Sequence, residues 1–308
     1  MTKPRPRIAV LGMGNMGRAL AARLLERGFQ VSVWNRTPRS LAALAEAGAH
    51  ELQSIASVWD VADIAIAFVA NDEALREVTL PPRGILSAPV KDRLFIDMST
   101  VSPTVSREIA RAAAESGVDY LRSPVSGNPS VLTSGNLTMI VSGPTRAFER
   151  GRELLGEIGS TVLFVGEEEE ARFVKLAINA GLAITTQLLA ELVLLAERYG
   201  LDRATFLDVL GSSVLGSPFI KYKTRGLVER DYAATFTTAL LAKDLRLALS
   251  LAADADLTLP VVELVSSLVE SAAEGYADAD FAALLPNLQR AHGHAPDLPP
   301  SDETAPLV

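Results

Sequence analysis

The sequence contains no cysteine, three histidines and only 6% aromatic residues. The absence of cysteine excludes disulfide bonds and thiolate chemistry, and it leaves the redox compartment open. One histidine lies at residue 50 and two lie near residue 293, a spacing that predicts neither a histidine metal site nor a Ser-His-Asp triad. We therefore predict that the protein has no metal centre and that its chemistry depends on other side chains.

Basic residues are fewer than acidic ones: the chain has 29 Lys and Arg, 37 Asp and Glu, and a net charge of −8. This balance argues against nucleic acid or an anionic membrane as the main partner. The basic, proline-containing amino terminus is followed by an apolar run too short for a signal peptide. We therefore expect a cytoplasmic protein.

One long apolar run, residues 176–196, has the length of a membrane span. Asn179, Gln187 and Glu191 interrupt it, and charged residues at membrane depth are costly. We interpret the run as a helix buried inside a protein, with no membrane partner. Because one small domain cannot cover so much apolar surface, we expect a second copy of the chain to pack on it, in a homodimer or homotetramer.

The most specific local pattern lies between Ile8 and Thr37. A short apolar strand leads into three glycines spaced G-x-G-x-x-G, and an amphipathic helix follows at once, which is the context in which this spacing binds a dinucleotide. The first glycine permits the tight turn, the second lets the backbone approach the pyrophosphate, and the third lets helix and strand pack closely. The N–H groups of the first helical turn would face the phosphates. The predicted cofactor turn consists of Gly12, Met13, Gly14, Asn15, Met16 and Gly17.

The end of the second predicted strand indicates which dinucleotide is bound. NAD sites usually carry Asp or Glu there for the ribose 2′-hydroxyl, whereas this chain has Asn35, Arg36 and Thr37, with Arg39 close by. A guanidinium suits a 2′-phosphate, because it forms paired charge-assisted hydrogen bonds. We predict that NADP(H) is preferred and that NAD(H) is possible; the alternative is that Arg36 is only a solvated loop cation.

The hydrophobic pattern divides the chain near Gly166. Short apolar runs alternate with amphipathic ones before this point, as in βαβ units, and only helical patterns follow it. We predict an α/β Rossmann domain over residues 1–166, an all-α domain over 167–294 joined through a long interdomain helix, and a disordered, proline-rich and acidic tail over 295–308. The four carboxylates Glu167–Glu170 are interpreted as a solvated first turn of that helix.

Three further polar stretches accompany the glycine turn. Residues 123–127 read Ser-Pro-Val-Ser-Gly and follow a predicted strand. Lys175 and Asn179 lie four residues apart, one helical turn, and therefore share a helix face. Lys243 stands in an Ala-Lys-Asp-Leu sequence in another apolar helical stretch.

Together with the glycine turn, these motifs resemble the β-hydroxyacid dehydrogenase family, which includes 3-hydroxyisobutyrate dehydrogenases, tartronate semialdehyde reductases and glyoxylate/succinic semialdehyde reductases. The resemblance extends over about residues 5–290, with the motifs in the same order. It implies hydride transfer between NAD(P)H and a small hydroxyacid or its carbonyl partner. The run Asp97–Thr100 also resembles the family's stretch near the nicotinamide.

The resemblance implies roles for the residues that match. Lys175 would be the general acid or base at the reacting oxygen, and Asn179 would orient the substrate beside it. Hydride delivery to a carbonyl leaves a developing alkoxide, which a lysine ammonium both stabilises and protonates. Burial in an apolar helix and a cationic neighbour would each lower the pKa of such a lysine. The alternative for Lys175 is a side chain that extends from a buried helix to water.

The other matching residues would bind substrate and cofactor. Ser126 and Gly127 would bind the substrate carboxylate, Thr100 would lie near the nicotinamide ribose, and Lys243 would reach the cofactor. Two alternatives stay open, since Ser126 can hydrogen-bond its own turn and Lys243 can be a surface lysine. The sequence departs from the family at Asn128, where a second glycine is usual. The departure predicts altered surroundings for the substrate carboxylate. Phe236 and Leu240 share a helix face with Lys243 and form either an apolar pocket wall or part of the core; together with Asn128 they predict a substrate bulkier than glyoxylate.

Three competing functions have different sequence requirements. Imine reductases share the glycine turn and the long helix but typically carry Asp or Tyr in place of the lysine, so Lys175 argues against them while Asn128 keeps them open. A cofactor-binding module without catalysis would be expected to have lost the lysine. A decarboxylating sugar-phosphate dehydrogenase shares the Ser-Gly and Lys-x-x-x-Asn signatures but usually has a larger helical domain than this chain allows.

Overall fold

The computed structural model of the protein describes residues 4–37, 41–80 and 82–298. The chain divides into two compact units, Met1–Lys175 and Leu176–Val308. The division falls inside the long helix rather than at Gly166. Arg39, one of the two cations considered for the 2′-phosphate, lies outside the described residues.

The first unit contains a single sheet of short strands. The nine strands formed by the described residues are β1 (Ile8–Leu11), β2 (Val31–Trp34), β3 (His50–Glu51), β4 (Ile64–Ala67), β5 (Arg93–Asp97), β6 (Val118–Arg122), β7 (Val125–Ser126), β8 (Thr138–Ser142) and β9 (Thr161–Gly166). Their order is β3-β2-β1-β4-β5-β6-β8-β7, and β9 pairs with β8. The strands β1 to β6 pair in parallel, whereas β8 runs antiparallel to β6 and β7.

The strand order and the crossover helices confirm the predicted Rossmann type. The helices that follow these strands are α1 (Asn15–Glu26), α2 (Ala42–Glu46), α3 (Val58–Val61), α4 (Asp72–Thr79), α5 (Pro103–Ser116), α6 (Pro129–Thr133) and α7 (Thr145–Ile158). The central strands β1, β4 and β5 are apolar on both faces, since one buried cluster packs with α1 and α7 and another with α3 and α5. Because the strands β1 to β6 run parallel, their carboxyl ends meet at one edge of the sheet, where this fold binds its ligands.

The long helix α8 (Glu170–Arg198) begins in the first unit and continues into the second. The remaining helices are α9 (Arg203–Ser212), α10 (Pro218–Glu229), α11 (Thr238–Asp254), α12 (Pro260–Tyr276) and α13 (Leu284–Ala291). The apolar faces of these helices and of α8 form one core, in which Leu189, Leu241 and Val269 are almost fully covered. The predicted helical second half is thus confirmed.

Helix α8 is long and apolar enough to cross a membrane by length and composition, and 44% of its most apolar window is buried. A core helix of a soluble protein meets the same criterion, so this finding alone is weak evidence for a span. Leu188 and Leu195 on this helix, and Tyr199 just after it, are exposed. The expectation that a second copy of the chain covers them stays a prediction.

The start of α8 differs from the solvated turn expected of Glu167–Glu170. The helix begins only at Glu170. The Glu169 side chain is 15% exposed and forms an ion pair with Arg122, and Glu167 accepts a hydrogen bond from the Thr145 hydroxyl. The acidic run therefore attaches the helix to neighbouring elements, and interpreting all of it as solvated was wrong, because the sequence pattern did not show that an arginine on β6 faces it.

Residues 295–298, the described beginning of the predicted tail, contact the helical part of the second unit. The Asp297 carboxylate, 3% exposed, pairs with Arg203 and accepts a hydrogen bond from Tyr232 at 3.0 Å. The Leu298 carbonyl accepts a hydrogen bond from the Tyr276 hydroxyl at 3.0 Å. The remaining residues of that prediction, 299–308, lie outside the described residues.

Candidate functional site

The glycine turn after β1 requires glycine for three different reasons. Gly12 has φ +98°, and a Cβ there would lie 2.4 Å from the Phe68 carbonyl oxygen. A Cβ at Gly17 would lie 1.8 Å from the Gly12 carbonyl oxygen, so α1 packs directly on the turn. A Cβ at Gly14 would meet nothing within 4 Å among the described residues. The space over Gly14 is therefore open, as an approaching phosphate requires.

The start of α1 supplies donors for that open space. Its N-cap is Gly14, which has no side chain to cap the helix, and its first turn contains no acidic residue. The first N–H groups of a helix have no partner within the helix, and the helix dipole makes this end positive. The exposed Asn15 and the half-buried Met16 form this first turn. These residues fit the pyrophosphate of a dinucleotide.

Asn35 supports the turn from the end of β2. Its side-chain oxygen accepts a hydrogen bond from the Met13 N–H at 2.9 Å, and its amide donates to the Thr37 carbonyl at 2.6 Å. The Met13 side chain is fully buried in the core. Asn35, predicted to be at the cofactor site, is therefore beside the turn, and its amide group holds the turn in shape.

Arg36 has an acidic partner that the sequence pattern did not indicate. Its Nη1 lies 2.5 Å from a carboxylate oxygen of Glu77 on α4, and the two side chains are 64% and 44% exposed. An exposed ion pair of this kind contributes little to stability. The guanidinium nevertheless lies at the carboxyl end of β2. A 2′-phosphate that binds there would have to displace Glu77 or share the guanidinium with it.

A second polar segment follows β5 at the same edge of the sheet. The Asp97 carboxylate, at the end of β5, accepts a hydrogen bond from the Ser99 N–H at 2.9 Å. The Ser99 hydroxyl accepts one from the Val69 N–H at 2.9 Å, just after β4. Thr100, predicted near the nicotinamide ribose, follows directly and is half-buried. The segment is thus connected to the strand end that also contacts Gly12.

The predicted carboxylate loop lies at β7 and the start of α6. Ser126 ends β7 and is half-buried, and Gly127 has φ +139°, where a Cβ would lie 2.6 Å from Leu137. Asn128 is the N-cap of α6: its side-chain oxygen accepts hydrogen bonds from the Val131 N–H at 3.0 Å and from the Ser130 hydroxyl at 2.7 Å. The Asn-Pro pair is a common helix start, so Asn128 has a structural function that the sequence comparison with the family did not suggest.

Lys175 and Asn179 occupy successive turns of α8, as predicted. Lys175 is half-buried, and Asn179 is 1% exposed. The Asn179 amide donates a hydrogen bond of 2.5 Å to the Asp244 carboxylate on α11. Since a carboxylate only accepts, this contact fixes the orientation of the amide and leaves the Asn179 carbonyl oxygen as the acceptor on the other side. That oxygen is buried and has no hydrogen-bond partner among the described residues.

Lys243 lies next to the same carboxylate. Its ammonium is 3.0 Å from the other oxygen of Asp244, and the two side chains are 21% and 2% exposed. Asp244 therefore holds Asn179 with one oxygen and Lys243 with the other. Sequence reasoning assigned no role to Asp244, although it stands directly beside Lys243 in the quoted motif.

The described residues thus form two groups of predicted site residues. The first unit brings the glycine turn, Asn35, Arg36 and Thr100 to the carboxyl edge of the sheet, and the second unit brings Asn179 and Lys243 together at Asp244. Within the described ranges, no three His, Cys, Asp or Glu residues could hold a metal ion.

Two family profiles together match most of the chain. Residues 7–166 match the NAD binding domain of 6-phosphogluconate dehydrogenase. Residues 170–288 match the NAD-binding domain of NADP-dependent 3-hydroxyisobutyrate dehydrogenase.

Individual proteins agree with these profiles. The chain is 35% identical to the uncharacterized oxidoreductase YfjR of Bacillus subtilis over 91% of this chain and 98% of that protein. The structure is similar to that of a Mycobacterium tuberculosis 3-hydroxyisobutyrate dehydrogenase determined with L-serine, with a TM-score of 0.82, 28% identity and coverage of 93% of this chain and 100% of that one. It is also similar to Psf3 in complex with NADP+ and 2-OPP, with a TM-score of 0.84, 26% identity and coverage of 91% and 99%.

Proposed function

From the premise that the chain belongs to the β-hydroxyacid dehydrogenase family and is an NAD(P)-dependent oxidoreductase, we propose that it prefers NADP(H). We propose further that it interconverts a small β-hydroxyacid and its carbonyl partner, with Lys175 as the acid–base group. The bound cofactor supplies or accepts the hydride. The side chains of this protein have to bind and orient the substrate and to move one proton.

The observation that carries the proposal is the pair of polar groups on successive turns of α8. One helical turn from Lys175, Asn179 presents a buried carbonyl oxygen that has no partner among the described residues. In reduction, the Lys175 ammonium would donate its proton to the substrate oxygen as negative charge develops there. The Asn179 oxygen would accept a hydrogen bond from a hydroxyl or ammonium donor, so its orientation by Asp244 matters to the alignment of the substrate.

The test is a substrate panel assayed by NADPH absorbance. It contains 3-hydroxyisobutyrate, L-serine, succinic semialdehyde, glyoxylate and a cyclic imine, each with the purified protein and both cofactors. We expect turnover on at least one hydroxyacid or semialdehyde. Turnover that is faster on the imine than on every acid would replace the proposal with imine reduction, and turnover on none would remove it.

Imine reduction is the alternative left open by Asn128. The structure supplies another reason for this residue, since its side-chain oxygen caps α6. An amide that is already engaged in capping a helix does not require a different substrate class. Lys175, which imine reductases typically lack, therefore weighs more heavily in favour of hydroxyacid chemistry.

The cofactor preference is tested at Arg36 and its acidic partner. We expect Arg36→Ala to weaken NADPH binding about 10- to 100-fold, because a charge-assisted hydrogen bond contributes about 1.5–3 kcal/mol. NADH, which lacks the 2′-phosphate, is expected to change little. The opposite change, Glu77→Gln, releases the guanidinium and removes a negative charge, so NADPH should bind about two- to fivefold more tightly. Dissociation constants from nucleotide fluorescence measure both effects.

The matched control is Glu73→Gln. Glu73 is exposed on the same helix, α4, one turn before Glu77, and its replacement changes the net charge by the same amount. We expect it to leave the NADPH/NADH ratio unchanged. If Glu73→Gln and Glu77→Gln raised NADPH affinity equally, the effect would be a general one of charge, and if Arg36→Ala weakened both cofactors equally, Arg36 would not bind the 2′-phosphate.

Asp244→Ala tests the orientation of Asn179. The substitution leaves the buried Asn179 amide without its acceptor, which allows the side chain to rotate. We expect the KM for the carbonyl substrate to rise about tenfold or more, since an unpaired buried polar group costs about 1–3 kcal/mol. Asp244→Asn keeps an acceptor oxygen and should have a smaller effect. Steady-state kinetics in both substrates measure this, and equal KM values for wild type and Asp244→Ala would contradict it.

A further inference from the structure

A buried polar cluster lies where β5, β6 and α5 meet the first turn of α8. We call it the Arg172 cluster, and it consists of Arg172, Asp97, Ser106, Tyr120 and Arg122. None of these residues is more than 4% exposed, and Arg172 is 1% exposed. The cluster belongs to the first unit, and Asp97 is the one member that stands in a sequence motif described above, at the start of the run Asp97–Thr100.

All three guanidinium nitrogens of Arg172 have hydrogen-bond partners. One terminal nitrogen donates to the Asp97 carboxylate and, at 3.1 Å, to the Tyr120 hydroxyl. The other terminal nitrogen donates to the Ser99 carbonyl oxygen. The Nε atom lies 3.4 Å from the Ser106 hydroxyl. A planar fork with five donors fits such a set, and a lysine ammonium does not.

Each arginine of the cluster forms an ion pair with a carboxylate. Arg172 pairs with Asp97, and Arg122, whose Nε donates to Ser106 at 2.9 Å, pairs with Glu169. Burial alone would lower the pKa of Arg172, but the Asp97 carboxylate, Tyr120 and Glu169 together outweigh burial and raise that pKa. Burial raises the pKa of Tyr120 to about 12, which keeps its hydroxyl neutral. The Arg172 cluster therefore consists of buried arginine–carboxylate contacts with hydroxyl groups around them.

Stability alone does not account for such a pair. Removing two charges from water is costly, and well-packed apolar side chains of similar size often replace a buried ion pair without loss of stability. What an apolar pair cannot provide is a directional connection between two particular backbone segments. Arg172 provides one, since it reaches from α8 to the Ser99 carbonyl just beyond the end of β5.

Both ends of this connection adjoin predicted site residues. On α8, Arg172 lies three residues before Lys175, so the two side chains are neighbours on the helix surface. On the sheet side, Ser99 directly precedes Thr100, and its hydroxyl accepts a hydrogen bond from Val69. One guanidinium therefore links the segment expected near the nicotinamide to the helix turn that precedes the acid–base group.

We propose that Arg172 is a positioning residue, which holds the first turns of α8 in register with the Ser99–Thr100 segment and so sets Lys175 relative to the reacting carbon. This inference rests on the proposed function, because it assigns to Lys175 the proton transfer. Arg172 itself does not touch the substrate. Its loss displaces Lys175 and loosens the Ser99–Thr100 segment, while the glycine turn stays in place.

The test compares two changes at the cluster with one elsewhere. Arg172→Lys keeps the charge and loses the fork. The double variant Arg172→Met with Asp97→Asn removes both charges, while the new side-chain amide keeps an acceptor oxygen for the Ser99 N–H. The control is Arg203→Lys on α9, where Arg203 is also buried, 7% exposed, and pairs with Asp297 while donating to the Leu227 carbonyl. This control also replaces a buried guanidinium with an ammonium group, but at a residue outside the helix turn that precedes Lys175.

We expect both cluster variants to lose about 100-fold in kcat, the cost of a displacement of about 1 Å, with the KM for NADPH changed less than about threefold. The primary isotope effect on kcat with NADPH deuterated at the transferred position should increase, because chemistry becomes slower than product release. Arg203→Lys should lower the melting temperature to a similar degree with unchanged kcat and isotope effect. An unchanged isotope effect in the cluster variants, or equal losses of kcat in Arg203→Lys, would overturn the proposal.

A second measurement does not depend on turnover. Amide hydrogen exchange with NADPH bound should become faster together in residues 97–101 and 168–178 of Arg172→Lys, and in neither segment of Arg203→Lys. Independent exchange in the two segments would contradict the connection even in an active enzyme. If wild type reduced no compound in the panel while the two segments exchanged together, the proposed function would fail and the connection would stand.

Discussion

Replacing Lys175 with alanine is expected to lower kcat about 10²- to 10⁴-fold, the usual contribution of a general acid or base. The remaining rate reflects hydride transfer to a carbonyl whose developing negative charge is neither stabilised nor protonated. The dissociation constant for NADPH should change less than about twofold, because the pyrophosphate is expected at the glycine turn, whose N–H donors do not involve Lys175. Single-turnover absorbance measures the first quantity and nucleotide fluorescence the second.

Two variants separate charge from proton transfer. Lys175→Arg keeps a positive charge but cannot release a proton near neutral pH, since the pKa of arginine is above about 12. It should therefore recover only a small part of the lost rate. Lys221→Ala, at an exposed lysine of α10, serves as the control and should have wild-type kinetics. Wild-type turnover by Lys175→Ala would show that another group transfers the proton.

The second large effect is expected at Gly14. Its φ of −71° suits alanine, and an added Cβ meets nothing within 4 Å among the described residues. We therefore expect Gly14→Ala to fold normally, with a melting temperature within about 2 °C of wild type. The added methyl group occupies the space that a pyrophosphate needs, so both NADPH and NADH should bind at least about tenfold more weakly, a loss of about 1.4 kcal/mol.

The control for Gly14 is another glycine at which an added Cβ would meet no neighbouring atom of the described residues. Gly156, exposed in α7, also has nothing among the described residues within 4 Å of an added Cβ, so Gly156→Ala should stabilise the helix slightly and leave cofactor binding unchanged. Gly12→Ala provides the opposite case, since it combines φ +98° with a Cβ 2.4 Å from a carbonyl oxygen and should lower stability as well as binding. If Gly14→Ala bound both cofactors normally, the pyrophosphate would not lie over this glycine.

The two cofactor predictions test different parts of one nucleotide. Gly14→Ala affects the pyrophosphate, which NADH and NADPH share, whereas Arg36→Ala affects the 2′-phosphate, which only NADPH carries. Family membership settles that a dinucleotide of this kind is bound, and the ratio between the two cofactors is expected to depend on Arg36. Glu77 shows why the sequence pattern was incomplete, because its ion pair with Arg36 comes from a helix 41 residues away.

Much of the fold could be predicted because many of its features depend only on residues within one helix, strand or turn. The strand, turn and helix around Gly12 follow from hydrophobic periodicity and from the absence of a side chain, and both are visible in one short stretch of sequence. The start of α5 is also decided locally, since Ser102 caps the helix and Pro103 occupies its first turn. Short elements without periodicity escaped prediction, among them β7 and α6, and the latter is started by the Asn128 side chain.

Polar contacts between distant segments could not be predicted. The sequence presents Asp244 only as part of a motif around Lys243, although its carboxylate also holds Asn179, 65 residues away. Glu169 stands in a run of carboxylates that indicates a solvated turn, although Arg122 faces it. Each of these contacts depends on which side chains the fold brings within hydrogen-bond distance of one another, and hydrophobic patterning is insensitive to that.

By itself, the sequence determined the Rossmann turn, the helical second half and the family, because each rests on residue types at defined spacings along the chain. Only the tertiary structure decided how polar groups are paired: Arg36 with Glu77, Asn179 with Asp244, and Arg172 with Asp97. The physical reason is that packing in three dimensions decides which polar groups meet, and the buried groups, Asn179 and Arg172, must find a partner to offset the loss of water. The lysine predicted to do the chemistry was visible in the sequence, whereas the groups that hold its helix in place were not.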